Sequence, residues 1–382
     1  MSTSILRFAP GTIQGRRKAA EHPRRATFIG IACLCLALLP FTVQAATFCV
    51  TTPAQLQTAL AQAEDNGQHD FIRVTRGTYA LTEPLSYRNR DGLDLILEGG
   101  HLPGQNCAVQ IIEPSYTVID GGGNTALANI MTGQDPDTVH SGHITIRNLT
   151  WRNGVAHTPT TGSASPLAFG SYYRWNGKLT VEWNHFLDIR FDSGSALPNA
   201  ITMYGDAGGI EVRNNLFAGN STGNENASSI RLEAYGSDGA PNLFVNNTVF
   251  HPPGSNVNAI LFFSSPKASW LVANNIVWNA TGNAMMYSAA HNVFLWNNVL
   301  GARSGLDPVE DVDNYHIAPQ FMSASTGDFR LRPDSPLVDL GFTDVPGGVG
   351  IADAAGKPRV RGGVVDIGAF EEESSVFRNG FE

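Results

Sequence analysis

Residues 212–217 read V-R-N-N-L-F, and close variants recur: L-F-V-N-N-T-V-F at 243–250, L-V-A-N-N-I-V-W at 271–278, V-F-L-W-N-N-V-L at 293–300. Looser copies, I-T-I-R-N-L-T-W and L-T-V-E-W-N-H-F, begin at Ile144 and Leu179. A short strand-turn-strand unit cannot bury its apolar face alone, so its copies must stack. The fold this predicts is all-β: a right-handed, single-stranded parallel β-helix with a short N-terminal capping α-helix. At ~4.8 Å per coil, about eight to ten coils would make a column roughly 40–50 Å long.

Asn148, Asn184 (one residue out of register), Asn214, Asn247, Asn275 and Asn297 mark the pitch of the repeat. The bend between two strands needs a residue near the left-handed helical region, which Asn tolerates better than other non-glycine residues. Amides stacked one above another can also bond in a ladder along the column. These six are therefore expected to be structural. Val212 and Leu216, Val245 and Val249, and Leu295 and Val299 are expected to point into the column.

The first 45 residues have the form of a cleaved export signal. Arg16, Arg17, Lys18, Arg24 and Arg25 precede an apolar run from Phe28 to Phe41, and Val43-Gln44-Ala45 offers a small-residue cleavage site. Pro40 breaks that run, which falls short of the ~20 residues a bilayer span needs. Without the leader the net charge moves from −9 to about −14, and Lys178, Lys267 and Lys357 are the remaining lysines. That surface disfavours nucleic acid and anionic lipid. Cys49 and Cys107 are then the two remaining cysteines, and in an exported chain they are expected to pair.

Thr52 as N-cap, Pro53 in the first turn and apolar residues at 56, 59, 60 and 63 predict a helix over 52–66. Laid across the first coil, it would cover a raw sheet edge. From Leu93 onward short apolar strands alternate with Gly/Asn/Asp turns. This helix-then-coils order resembles the pectate-lyase-like β-helix superfamily, over about residues 48–305. The later strings S-P-L-V-D-L-G at 335–341 and D-I-G-A-F-E at 366–371 resemble the choice-of-anchor Q domain of bacterial surface proteins. The organisation implied is a signal peptide at 1–45, a β-helix with its cap at 46–305, and anchor-type coils closing the lower edge at 306–373. A tail at 374–382, ending F-R-N-G-F-E, resembles a sorting tag. Export and surface association follow from the resemblance; a reaction does not.

Chemistry is harder to find. In the superfamily the groove lies on the outer face of one parallel sheet, placed here on the strands preceding each Asn coil. If Ile201, Met203, Ile230, Leu232, Ile260 and Phe262 point inward, Thr202, Tyr204, Arg231, Glu233, Leu261 and Phe263 point outward. With Asp206, Tyr235 and His251 in adjoining turns, Tyr204, Arg231 and Glu233 make a candidate sugar-binding groove. A lyase would need a base and a group neutralising the sugar carboxylate; Lys178 and Lys267 stand at turns far in sequence from any carboxylate cluster. A glycosidase would need two carboxylates ~5–9.5 Å apart, for which Asp188, Asp192, Asp206 and Glu233 are candidates. Asp307, Glu310, Asp311 and Asp313 form an acidic loop with oxygen ligands for Ca²⁺ but without the spaced glycine of a known loop, so a solvated hinge is favoured; His140 and His143 read as an exposed turn pair, and no cofactor is expected, Ca²⁺ being the unsupported alternative. The reading favoured is a monomeric, secreted, surface-associated module contacting extracellular polysaccharide. A polysaccharide lyase or glycosidase is the enzymatic alternative. An adhesin with a protein partner is the third, and it requires an exposed Leu261/Phe263 patch.

Overall fold

The computed structural model describes residues 45–132, 139–156, 165–171, 174–192, 199–222, 228–236, 241–252, 258–279, 283–287, 290–304 and 308–373. Nearly all of the leader and the whole 374–382 tail fall outside them. The described chain is a parallel β-helix. Its strands fall into three long sheets in which every pairing is parallel, apart from Phe321–Ser323 and Asp328–Leu331, which pair antiparallel with each other. Sheet A runs from Ala45–Val50 through Leu179–Glu182 and Ile210–Arg213 to Glu310–Val312; sheet B contains Thr150–Ala156, His185–Leu187, Leu216–Ala218 and Thr248–His251; sheet C contains Ile201–Gly205, Ser228–Ala234 and Asn258–Ser264.

A single apolar core fills the column, with Val181, Val212, Phe244, Val272 and Leu295 from sheet A and Phe186, Phe217, Val249 and Val277 from sheet B. Phe186 and Phe217 stack with ring centroids 4.7 Å apart. Strand alternation supplies this face, and lost burial of one such ring would cost several kcal/mol, roughly 3–5. The helix Pro53–Ala63 covers the first coil as expected. Thr52 accepts a bond from Gln55 N at 3.2 Å, and Leu56, Ala59, Leu60 and Ala63 enter the same core. The Cys49–Cys107 disulfide ties the first strand of sheet A to the loop after Leu95–His101.

The asparagines divide into two columns, one residue apart. Asn148, Asn214, Asn246, Asn274 and Asn297 have φ between 54° and 58° and make the left-handed bend between sheets A and B. Asn215, Asn247, Asn275 and Asn298, each one residue past a bend asparagine, and Asn184, past the left-handed Trp183, form the ladder. Within it each backbone N–H donates to the next Asn Oδ1, at 2.8–3.0 Å. Of the six expected ladder positions, Asn184, Asn247 and Asn275 are rungs, whereas Asn148, Asn214 and Asn297 are bends. The same shift of one residue corrects the expected facing of three apolar side chains. Val212, Val249 and Leu295 lie in the core, but Leu216, Val245 and Val299 face outward.

They face outward because the C-terminal segment lies over them. Residues 319–373 do not close the lower edge of the column, as the anchor-type wording suggested. They form a strap that climbs its outside along the A–B corner. The bend asparagines hold it: Asn297 Nδ2 donates to Leu340 O, Asn274 Nδ2 to Phe342 O at 2.8 Å, and Asn214 Nδ2 to Val349 O at 2.8 Å. Higher up, Trp183 Nε1 donates to Ala352 O at 2.9 Å. At Gly356 (φ 74°) a Cβ would sit 1.7 Å from Ile112 O, so only glycine lets the strap approach there. The chain then returns, and Gly368 N donates to Asn274 O at 2.8 Å.

A buried charged cluster fastens the strap to itself. Arg359, fully buried, lies 3.1 Å from Glu371 Oε1 and donates to Asp366 O at 2.6 Å. Asp353 accepts from the backbone of Ala355, Lys357 and Glu371, and Asp366 from that of Asp339 and Glu372. The D-I-G-A-F-E string therefore has a mechanical job: its two carboxylates and one glycine knot the strap onto the column.

Candidate functional site

The outer face of sheet C has the expected alternation but is not an open groove. Ile201, Met203, Ile230, Leu232, Ile260 and Phe262 point into the core, and parallel register aligns Tyr204, Glu233 and Phe263 in one outer row. Arg231 grips Glu233 with two bonds, Nε to Oε2 at 2.8 Å and a terminal nitrogen to Oε1 at 2.9 Å. Tyr235 Oη adds a third at 2.5 Å. The guanidinium also lies 5.6 Å from the centroid of the Phe263 ring. Burial would pull the arginine's pKa down, but the bonds and charge of Glu233 outweigh it and raise it. Thr202, Tyr204, Glu233 and Leu261 are buried, and Arg231 and Phe263 are half-buried. The exposed Leu261/Phe263 patch that an adhesin would need is therefore not formed as expected, because Leu261 is covered.

Two candidate groove residues stand apart from that network. Asp206, in the turn after Ile201–Gly205, accepts from Trp175 N at 3.1 Å. His251 ends the sheet B strand Thr248–His251 and is buried, not exposed in a turn. Its Nε2 lies 3.0 Å from Ser229 Oγ, and Ser229 Oγ donates to Ala259 O at 2.9 Å. The single hydroxyl proton is thus shared between that carbonyl and the imidazole as competing acceptors. Burial holds the pKa of His251 down to about 4, which keeps it neutral.

An open concavity among the described residues lies elsewhere, against sheet B. A cleft of about 720 Å³ runs between the outer face of that sheet and the strap. Leu187, Leu216, Ala218 and Phe250 line the column side, and Phe329 and Phe370 come from the strap. His185 Nε2 donates to Ala354 O at 3.0 Å, and burial lowers its pKa, so it is neutral at pH 7. Asp188 takes a left-handed bend (φ 53°), and partial burial raises its pKa from the ordinary aspartate value against the opposing charge of Arg190. Of these residues only Asp188 was a candidate site residue in the sequence, because the strap residues meet the column across long stretches of chain, as Phe329 meets Phe250.

The remaining expectations resolve as follows. His140 is buried and His143 exposed, so they are not a solvent-facing pair. Glu310 and Asp311 lie in the last sheet A strand; Glu310 accepts from Trp296 Nε1, and Asp311 pairs with Arg303 at 2.5 Å. Asp307 lies outside the described residues. Among the described residues, no three His, Cys, Asp or Glu side chains are grouped to hold a metal ion, and no helix is long and apolar enough to cross a membrane.

No family model and no curated protein matches the chain. Among solved structures, the crystal structure of pectate lyase Pel9A is similar over 87% of this chain and 98% of that one, with 12% identity and a TM-score of 0.26. A likeness at that level carries no inference about activity.

Proposed function

We propose that the protein is a secreted, surface-associated β-helix that acts as a binding or structural module and contacts extracellular polysaccharide. The observation that carries this reading is the state of Glu233. It is buried, and its two oxygens accept three bonds from Arg231 and Tyr235. A carboxylate so saturated orients a guanidinium and is a poor base or nucleophile. Arg231, Tyr235 and Phe263 together offer donors and ring faces of the kind that hold sugars. Export is supported by the basic-then-apolar leader and by the Cys49–Cys107 disulfide, which suits an oxidising compartment. Retention at a surface rests on the anchor-type wording of 335–341 and 366–371.

The test is a panel of uronate and neutral polysaccharides, scored for binding, for unsaturated ends and for new reducing ends. Binding without turnover is expected, with Glu233→Gln leaving product formation at background. Turnover in the wild type that Glu233→Gln or Arg231→Ala abolishes would establish an enzyme instead.

A further inference from the structure

We propose that the cleft between sheet B and the strap is a binding site for an uncharged glycan chain. This rests on the reading of the protein as a glycan-contacting module, but it assigns a different face from the Arg231–Glu233 row and a ligand class. A cleft of about 720 Å³ falls within the roughly 300–1,000 Å³ of ligand sites. Its apolar floor, Leu187, Leu216, Ala218 and Phe250, suits the C–H face of a pyranose ring, which seeks apolar and aromatic contact.

Charge decides the ligand class. Four carboxylates line the cleft, Glu113, Asp188, Asp328 and Glu373, against two cations, Arg330 and Lys357. Both cations are engaged: Arg330 lies 2.7 Å from Asp328, and Lys357 lies 2.9 Å from Glu373. Asp188 and Glu113 form no ion pair among the described residues. Carboxylates stay in excess, with Arg190 offsetting Asp188 only in part, so a polyuronate would be repelled. The hydroxyls of a neutral chain would instead find acceptors. Asp188 is also given space: a Cβ on Gly219 (φ 69°) would lie 2.2 Å from Asp188 Oδ1.

The experiment titrates the mature protein with neutral hexasaccharides (β-glucan, mannan and xylan fragments) and with oligogalacturonate, by calorimetry. Three variants accompany it. Ser325→Trp places a ring into the cleft from an exposed rim residue. Asp188→Asn removes the charge while keeping a side chain that tolerates the left-handed bend. Phe263→Ala alters the sheet C row only. The expected result is binding of a neutral chain, weakened at least tenfold by Ser325→Trp and several-fold by Asp188→Asn, with any loss in Phe263→Ala smaller than either. Loss of binding in Phe263→Ala with none in Ser325→Trp or Asp188→Asn overturns this site and leaves the glycan-binding reading intact. Oligogalacturonate binding as tightly as the neutral chains, and sensitive to Ser325→Trp, overturns the ligand class. Failure of every saccharide to bind overturns both.

Discussion

Asn214 and Asn215 are neighbours in the chain, and their amides face opposite ways. Asn215 Nδ2 donates inward to Val181 O at 2.9 Å and to Asn247 Oδ1 at 3.0 Å, while Asn214 Nδ2 donates outward to Val349 O of the strap at 2.8 Å. The N-N doublet is thus a joint. Its first residue turns the backbone and holds the strap; its second bonds one coil to the next.

The two positions should respond differently to substitution. Asn215→Ala removes the acceptor of Asn184 N and leaves buried carbonyls without donors, at ~1–3 kcal/mol for each orphaned group. A total loss of about 3–5 kcal/mol is expected. Asn214→Gly keeps the left-handed bend and loses the bond to Val349 O, so about 1 kcal/mol is expected. Urea midpoints of the two variants decide this, and equal losses would contradict the division of roles.

Register predicts where the strap lies. One outer row of sheet A reads Arg73, Glu98, Arg147, Glu182, Arg213, Val245, Ala273, Trp296 from coil to coil. The first five alternate in sign and pair, as Arg147 does with Glu98 at 2.7 Å. The row turns apolar where Val345, Val349 and Val365 cover it. Val245→Glu buries an unpaired carboxylate there and should cost at least about 3 kcal/mol. Limited proteolysis should then cut the strap within 319–373 before the column, and a strap as resistant as the wild type would rule out this packing.

That row also shows what the sequence carries and what it withholds. Coil repeats, capping helix and cysteine pair are local patterns, and all three were legible. The ladder was legible only to within one residue, since both members of N-N suit a bend and period-two strands flip every neighbour when the register slips by one. Hence Leu216, Val245 and Val299 were misplaced. The strap and the cleft beside it come from tertiary contacts between segments distant in the chain, such as Trp183 to Ala352, and no periodicity encodes those.

The disulfide should matter mainly at the top of the column. It closes a separation of 58 residues, for which the chain-entropy model gives about 4 kcal/mol. Cys107→Ala with Cys49→Ala should lower stability by roughly that amount. Hydrogen exchange should rise first around Ala45–Val50 and Pro53–Ala63. Loss of protection spread evenly down the column would show that the first coils are not a separable unit.

Two carboxylates should shape the pH profile in opposite senses. For Glu98, burial alone would raise the pKa, but His101 and the Arg147 guanidinium outweigh it and hold it at about 2. Its contribution is present above the unfolded carboxylate range, near 4.5, and is lost as pH falls toward 2. Glu371 is the reverse case. Burial, only partly offset by Arg359, pushes it up to about 8, and burial raises Asp353 and Asp366 beside it. A single buried guanidinium cannot neutralise three carboxylates, so the cluster retains protons that the unfolded chain releases. Its contribution is complete below the unfolded range and declines as pH climbs from about 4.5 through about 8. Strap protection, followed by hydrogen exchange of residues 353–371 corrected for intrinsic rate, should therefore fall between pH 5 and pH 9. In Glu371→Gln a neutral amide replaces the titrating group, and that alkaline decline should flatten while the acid limb set by Glu98 is unchanged. An alkaline decline of wild-type steepness in Glu371→Gln would mean that the knot holding the strap does not titrate through this residue.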